Sequence, residues 1–173
     1  MHETIIYAYT SSPLGKLLLT SDGRRLSGIY FPCHQEQHQP GPNWRRDANP
    51  FDDTRRQLDA YFAGKLAEFD VPLAMNGTPF EKRVWDALRR IAYGTTVSYR
   101  DIAQRIGQVT ACRAVGLANG RNPIPIIVPC HRVIGADGSL TGYGGGLDTK
   151  RYLLELEGVE LRERKMRRTA AAR

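Results

Sequence analysis

At 173 residues and 41% apolar content, the chain can bury one generous core or two small ones, and its longest apolar runs are far too short to span a bilayer. Three cysteines are an odd count, and no basic segment followed by an apolar run opens the chain. Together these argue against a disulfide framework and give the expectation of a soluble, cytoplasmic protein. The formal charge of +7 points to an anionic partner, and it is unevenly placed: residues 1–76 contribute −1, residues 77–161 contribute +3 and residues 162–173 contribute +5.

The first thirty residues alternate β-favouring runs with turn punctuation, "TIIYAY", "SSPLG", "KLLLT", "SDG" and "LSGIYF", which predicts a small antiparallel sheet. Residues 32–50 are polar and Pro-rich and read as a long surface connection. "DDTRRQLDAYFAG" predicts an amphipathic helix capped by Asp52 or Asp53, with Leu58, Tyr61 and Phe62 on one face and Gly64 as its stop. "AEFDVPL" reads as a further strand, and a boundary is expected near Asn76. Beyond it, Thr78 and Glu81 form a capping box around Pro79, opening a core helix that carries Phe80, Val84, Leu88 and Ile91.

"SYRDIAQRIGQVTACRAVGLANGRNP" has the rhythm of a helix-turn-helix: Ser98 and Asp101 cap a first helix, Gly107 breaks it, and Thr110 can cap a second running to about Asn119. The second helix carries Ala114, Gly116 and Ala118, which offer no polar group to base edges but allow close backbone approach. On DNA this suits contact with phosphates and the minor groove without sequence preference. Arg113 is the long cation among them.

Two Cys-His pairs follow prolines, Cys33-His34 and Cys130-His131. A thiol is a nucleophile only as its thiolate, so a reactive cysteine needs local help. Cys33 sits in polar, unpatterned sequence, and although His34 and His38 are four apart, the nearby prolines oppose a helix and no fourth metal ligand is evident. Cys130 instead ends the apolar run "NPIPIIVPC" and is followed by the glycine-rich stretch 142–146 and a helix "LDTKRYLLELEG". Glu157, in the last turn of that helix, is disfavoured by the macrodipole and calls for a cationic or donor partner, for which His131 is a candidate. Adjacent side chains do not normally face each other, so help from His131 to Cys130 is expected to pass through a water.

With "PCHRV", the "RNP" upstream, "RAVG" before that and "GYGGG" after it, the chain resembles the O6-alkylguanine-DNA alkyltransferases. The likeness covers about residues 78–158, and "TSSPLGKLLL" and "LDAYFAG" resemble the smaller domain of that family. The resemblance implies an α+β protein. Residues 1–76 would form an N-terminal RNase-H-like antiparallel sheet domain, residues 77–161 a mainly helical, winged-helix-like domain with a helix-turn-helix, and residues 162–173 a basic tail. It implies a single-use transfer of an alkyl group, typically methyl, from O6-alkylguanine or O4-alkylthymine in double-stranded DNA to Cys130, with no cofactor or metal, by a monomer that flips the damaged nucleotide. Carried over by position, Cys130 is the acceptor, His131 the water-linked base, Glu157 the carboxylate that orients it and Asn122 the brace of the active-site turn. Arg113 fills the gap left by the flipped base, and Tyr99 lies near that base and its phosphate. Ala114, Gly116 and Ala118 lie on the DNA face, and Val133, Tyr143, Gly144, Gly145 and Lys150 form the pocket. Cys112, Asn119 and Ala92 depart from the residues usual in the family. Two other readings are a non-catalytic relative that binds the alkylated base, which would lack the reactive cysteine, and a helix-turn-helix regulator, whose polar recognition surface is missing here.

Overall fold

The computed structural model describes residues 4–161, so the expected basic tail lies outside the described residues. Three strands, β1 (Ile5–Thr10), β2 (Leu17–Ser21) and β3 (Leu26–Tyr30), pair antiparallel as the alternation predicts. A short fourth strand, β4 (Trp44–Arg46), pairs parallel to β1 and gives the order β3-β2-β1-β4, so the sheet is mixed rather than purely antiparallel. Sequence reading missed β4 because its three residues sit inside a Pro-rich stretch too short to show alternation. The interior strand β2 is buried at every position, which explains the unbroken "LLL". Helix α1 (Asp52–Phe62) follows, burying Leu58 and Tyr61. It begins one residue beyond Phe51 without a side-chain cap and ends at Gly64, where φ is +69°.

The strand expected over "AEFDVPL" does not form. Only an isolated parallel bridge from Leu26 to Leu73 survives, because Pro72 has no amide to extend the ladder and the Asp70 amide and carbonyl are taken by the Gln57 side chain. Helix α2 (Pro79–Leu88) opens on the predicted capping box, with both Thr78 and Glu81 bonds present, and buries Val84, Trp85 and Leu88. A two-residue strand β5 (Val97–Ser98) leads into α3 (Tyr99–Arg105), capped by Ser98 and Asp101 as predicted. Helix α4 (Cys112–Gly120) completes the helix-turn-helix, entering from Ala111 rather than from a Thr110 cap. After a one-turn 3-10 helix (Cys130–Arg132), β6 (Val133–Ile134) pairs parallel with β5, and α5 (Leu147–Leu156) closes the described chain. No helix among the described residues is long and apolar enough to cross a membrane.

The two halves share one hydrophobic core that runs from Leu19 and Ile29 of the sheet through Tyr61 of α1 to Val84, Leu88 and Leu153 of the helical half. A backbone bond also joins them, from the Ile29 amide on β3 to the Pro123 carbonyl at 2.9 Å. That bond ties the sheet edge directly to the turn that carries Cys130.

Candidate active site

The turn from Asn122 to Cys130 is built around Asn122, whose Nδ2 donates to the Val128 carbonyl at 2.7 Å and whose Oδ1 accepts from the Ile124 amide at 3.0 Å. Within it, Ile126 is buried at a φ of +74°, a conformation that costs a β-branched residue about 1–3 kcal/mol and persists because the surrounding core over-determines it. The turn delivers Cys130 to the wall of a cavity of about 290 Å³, at the small end of ligand pockets. Cys130 is 3% exposed, and burial pushes its thiol above the ordinary range. The Asn122 amide, the Tyr143 hydroxyl and the Lys150 charge pull the other way.

Behind Cys130, the fully buried His131 holds Glu157 through Nε2 at 2.7 Å from Oε1. Arg132 grips the same carboxylate bidentately, Nε to Oε2 at 2.8 Å and Nη2 to Oε1 at 2.9 Å. The Tyr61 hydroxyl of α1 donates to Oε1 at 2.7 Å, and the Gly94 amide donates to Oε2 at 3.2 Å. Gly94 sits at φ +71° with the Glu157 carbonyl 2.8 Å from where a Cβ would stand, so only glycine brings that amide close enough. Burial alone would raise the Glu157 carboxyl; the bonds from His131 and Arg132 outweigh it and hold the group well below the usual carboxylate range. The carboxylate is therefore the charged partner.

An ionised Glu157 is acceptor-only, so the proton of the shared bond sits on His131 Nε2. Burial lowers the His131 pKa, against the pull of Glu157, and keeps the ring neutral. Its other nitrogen, Nδ1, is then a free lone pair, and among the described residues it has no hydrogen-bond partner.

Tyr143, Gly144 and Gly145 line the cavity with Cys130, but Val133 and Lys150 do not. Both are fully buried. The fully buried Lys150 Nζ donates to the Val133 carbonyl at 2.6 Å and the Thr141 carbonyl at 3.0 Å, fastening the glycine-rich loop to β6. The Tyr143 hydroxyl is buried and completes no well-aligned hydrogen bond among the described residues, although it lies within electrostatic reach of Cys130. Asn119, 4% exposed at the cavity wall, places Nδ2 3.4 Å from the Cys130 carbonyl and leaves Oδ1 without a partner among the described residues.

On α4, Arg113, Ala114 and Leu117 face solvent and Gly116 is half-buried against the Tyr99 ring. Ala118 does not share that face. It is buried, with its carbonyl taken by Trp85 Nε1 at 2.9 Å, because a helix of period 3.6 turns its position toward α2. Leu117, 60% exposed, takes its place. Tyr99 opens α3 and accepts a hydrogen bond from Thr141 Oγ1 at 3.0 Å.

His34 of the other Cys-His pair, together with His38, also lines this cavity, whereas Cys33 does not. His34 Nε2 bonds to the Gly144 carbonyl.

A model of the 6-O-methylguanine DNA methyltransferase ribonuclease-like domain matches residues 5–75, and one of that family's DNA binding domain matches residues 79–159. The chain belongs to the 6-O-methylguanine DNA methyltransferase family. It is 53% identical over 152 residues to a methylated-DNA--protein-cysteine methyltransferase of Methanosarcina acetivorans, covering 88% of this chain and 97% of that one. The crystal structure of Mycobacterium tuberculosis OGT in complex with DNA superposes with a TM-score of 0.81 at 53% identity, covering 88% of this chain and 92% of the other. An O6-methylguanine DNA methyltransferase from Methanococcus jannaschii gives 0.62 at 26% identity, covering 94% and 100%.

Within this methyltransferase frame, sequence reading missed three polar residues of the site. Tyr61 read as one more apolar position of an amphipathic helix, and no local signal ties it to a carboxylate 96 residues away. Arg132 was visible only as the neighbour of His131. Asn119 departs from the residue usual in the family, and its polarity in a small-residue helix is the signal the sequence offers for it.

Proposed function

We propose that this chain repairs alkylated DNA by moving the alkyl group from O6 of guanine onto the sulfur of Cys130, once per molecule. The observation that carries this reading is a buried cysteine on a cavity wall, backed by a neutral histidine whose tautomer is fixed by an ionised, five-donor carboxylate.

Cys130 rests as a thiol, since burial opposes its charge. Its proton passes through a bridging water to the Nδ1 lone pair of His131, and the imidazolium that forms is stabilised by Glu157. The sulfur electron pair then forms the S–C bond as the bond between carbon and O6 breaks. The departing purine keeps that electron pair; hydrogen bonds from Tyr99 and the amides of the 142–145 loop meet its charge, and it takes up one proton as the His131 imidazolium gives up, through water, the one it took from Cys130. A thioether does not hydrolyse at neutral pH, so the acceptor is not regenerated.

A base inside a duplex cannot reach a buried sulfur, so the nucleotide must be extruded, at a cost of a few kcal/mol. Arg113 enters the gap, while Ala114, Gly116 and Leu117 let α4 approach the minor groove closely without reading sequence. This reading assigns DNA binding and alkyl acceptance to residues 77–161 and support of the relay, through Tyr61, to residues 1–76.

Incubation with a duplex holding one O6-methylguanine is expected to add one methyl mass to the Cys130 peptide and to stop at one equivalent. Cys130→Ser is expected to abolish transfer and retain DNA binding. Continued turnover, or transfer by the Ser variant, would overturn the reading.

A further inference from the structure

One side of the cavity that holds Cys130, with Ile29, Tyr30, Phe31, His34 and His38, is built by the sheet domain. We propose that the segment 31–38 is the outer wall of the alkyl-group pocket and that His34 is a positioning residue, holding the glycine loop 142–145 against that wall and so limiting the size of the alkyl group accepted. The proposal rests on the alkyl-transfer reading above for its substrate, but the wall itself is a matter of geometry.

Four contacts fix the wall to the loop. His34 Nε2 donates to the Gly144 carbonyl, an atom that can only accept. Cys33 Sγ lies 3.9 Å from the same oxygen. The Phe31 and Tyr143 rings pack at 6.1 Å, and a Cβ on Gly145 would stand 2.9 Å from the Phe31 ring, so the loop rests on that ring only because residue 145 is glycine. The wall is in turn anchored to its own domain. Pro32 starts a 3-10 turn that aims His34 outward, Gln35 Nε2 donates to the Lys16 carbonyl at 2.6 Å, and His38 stacks on Tyr30 at 4.2 Å while its Nδ1 bonds the His34 carbonyl at 3.1 Å. The bond from Ile29 to Pro123 holds this edge in register with the turn that carries Cys130.

The loop opposite is the more adaptable partner, since three of the four residues 142–145 are glycine and its fasteners on its own side lie at its two ends, Lys150 at the Thr141 carbonyl and the Gly146 amide at the Tyr143 carbonyl. Without the imidazole, the Gly144 carbonyl loses its hydrogen bond to the wall and the loop is left with the packing of Tyr143 and Gly145 on Phe31 and the long Cys33 contact. A methyl group needs no extra room, whereas a benzyl group must displace the loop or the wall. His34 therefore acts on the difference between small and large adducts rather than on the transfer step itself.

The test is the ratio of single-turnover rates on duplexes bearing O6-benzylguanine and O6-methylguanine, measured with the full chain, His34→Ala and His34→Gln. His34→Ala is expected to raise the benzyl-to-methyl ratio about tenfold, the scale of one hydrogen bond, while His34→Gln, which retains a donor, keeps the parent ratio. A fall of both rates in the same proportion, or an equal shift in the Gln variant, overturns the proposal. A second arm needs no DNA: labelling of the Cys130 peptide by iodoacetamide and by its N-benzyl derivative is expected to show the same selective gain in His34→Ala. Loss of transfer from DNA with that labelling gain intact would sink the alkyl-transfer reading alone; absence of the gain would sink the wall.

Discussion

Glu157 is the residue on which the site's electrostatics turn. Its carboxylate compensates a buried guanidinium and orients a buried imidazole, so Glu157→Gln leaves Arg132 charged and unpaired at 5% exposure. Breaking a buried pair from one side costs about 3–5 kcal/mol, and an unfolding free energy from urea titration lower by that amount is expected, together with a large loss of transfer rate. The acid limb of stability follows from the same groups. Glu157 titrates lower in the folded chain than in the unfolded one, so its contribution is complete above the ordinary carboxylate value of about 4.3 and is lost as pH falls toward the folded value. His131 is also depressed by burial; below about pH 6.5 the unfolded chain takes a proton that the folded chain refuses, which adds to acid destabilisation. Glu157→Gln is expected to flatten the limb below about pH 5, read as midpoint against pH. Lys150 has the opposite setting. Burial pushes it down to about 8, with Cys130 acting against that shift. Between about 8 and 10.4 the unfolded chain holds the proton that the folded chain has released, so this site gains stability as pH rises through that window. The stability difference between the parent and Lys150→Met is expected to grow by about 2–3 kcal/mol from pH ~7 to pH ~10, and a constant difference would show that Lys150 is not desolvated.

Among the elements, α4 makes the sharpest prediction. Its solvent face presents Arg113, Ala114 and Leu117, and an acidic residue there opposes a polyanion without touching the cavity. Leu117→Asp is expected to weaken duplex binding by tenfold or more at low salt, while benzylation of Cys130 by free O6-benzylguanine persists; equal loss of both would place Leu117 in the pocket instead. The helices were legible wherever the chain writes its own boundaries: the Thr78–Glu81 and Ser98–Asp101 boxes are local, and local signals survive folding unchanged. Short strands were not. β4 finds the edge of β1, whereas the expected strand at 67–73 meets β3 at one bridge and has its Asp70 backbone taken by Gln57 of α1, contacts that depend on residues far away in sequence. The site divides in the same manner. Cys130, His131, Asn122 and Glu157 could be ordered along the chain, whereas Tyr61 and His34 reach the site only through the docking of the sheet domain, and the inward turn of Ala118 depends on where α2 packs.

For the whole molecule, that docking implies a single cooperative unit in which the relay is completed by the other half. The Tyr61 hydroxyl belongs to the sheet domain's helix yet donates to Glu157, the core is continuous, and a backbone bond crosses from β3 to the Cys130 turn. Each half carries one tryptophan, Trp44 on β4 and Trp85 on α2, so fluorescence can follow them separately. In Trp85→Phe the remaining signal reports the sheet, and in Trp44→Phe it reports the helices. Within each variant the fluorescence transition in urea is expected to coincide with the loss of helical circular dichroism, because neither half can open without exposing the shared core. Tyr61→Phe should lower the unfolding free energy by about 1–2 kcal/mol in both reports alike, the cost of removing one buried donor from a charged acceptor. If the sheet melted before the helices, the hydroxyl would be leaving Glu157 while the rest of the relay stayed folded. His131 would then keep its place without help from residues 1–76, and the sheet domain's part in the site would reduce to the wall at residues 31–38.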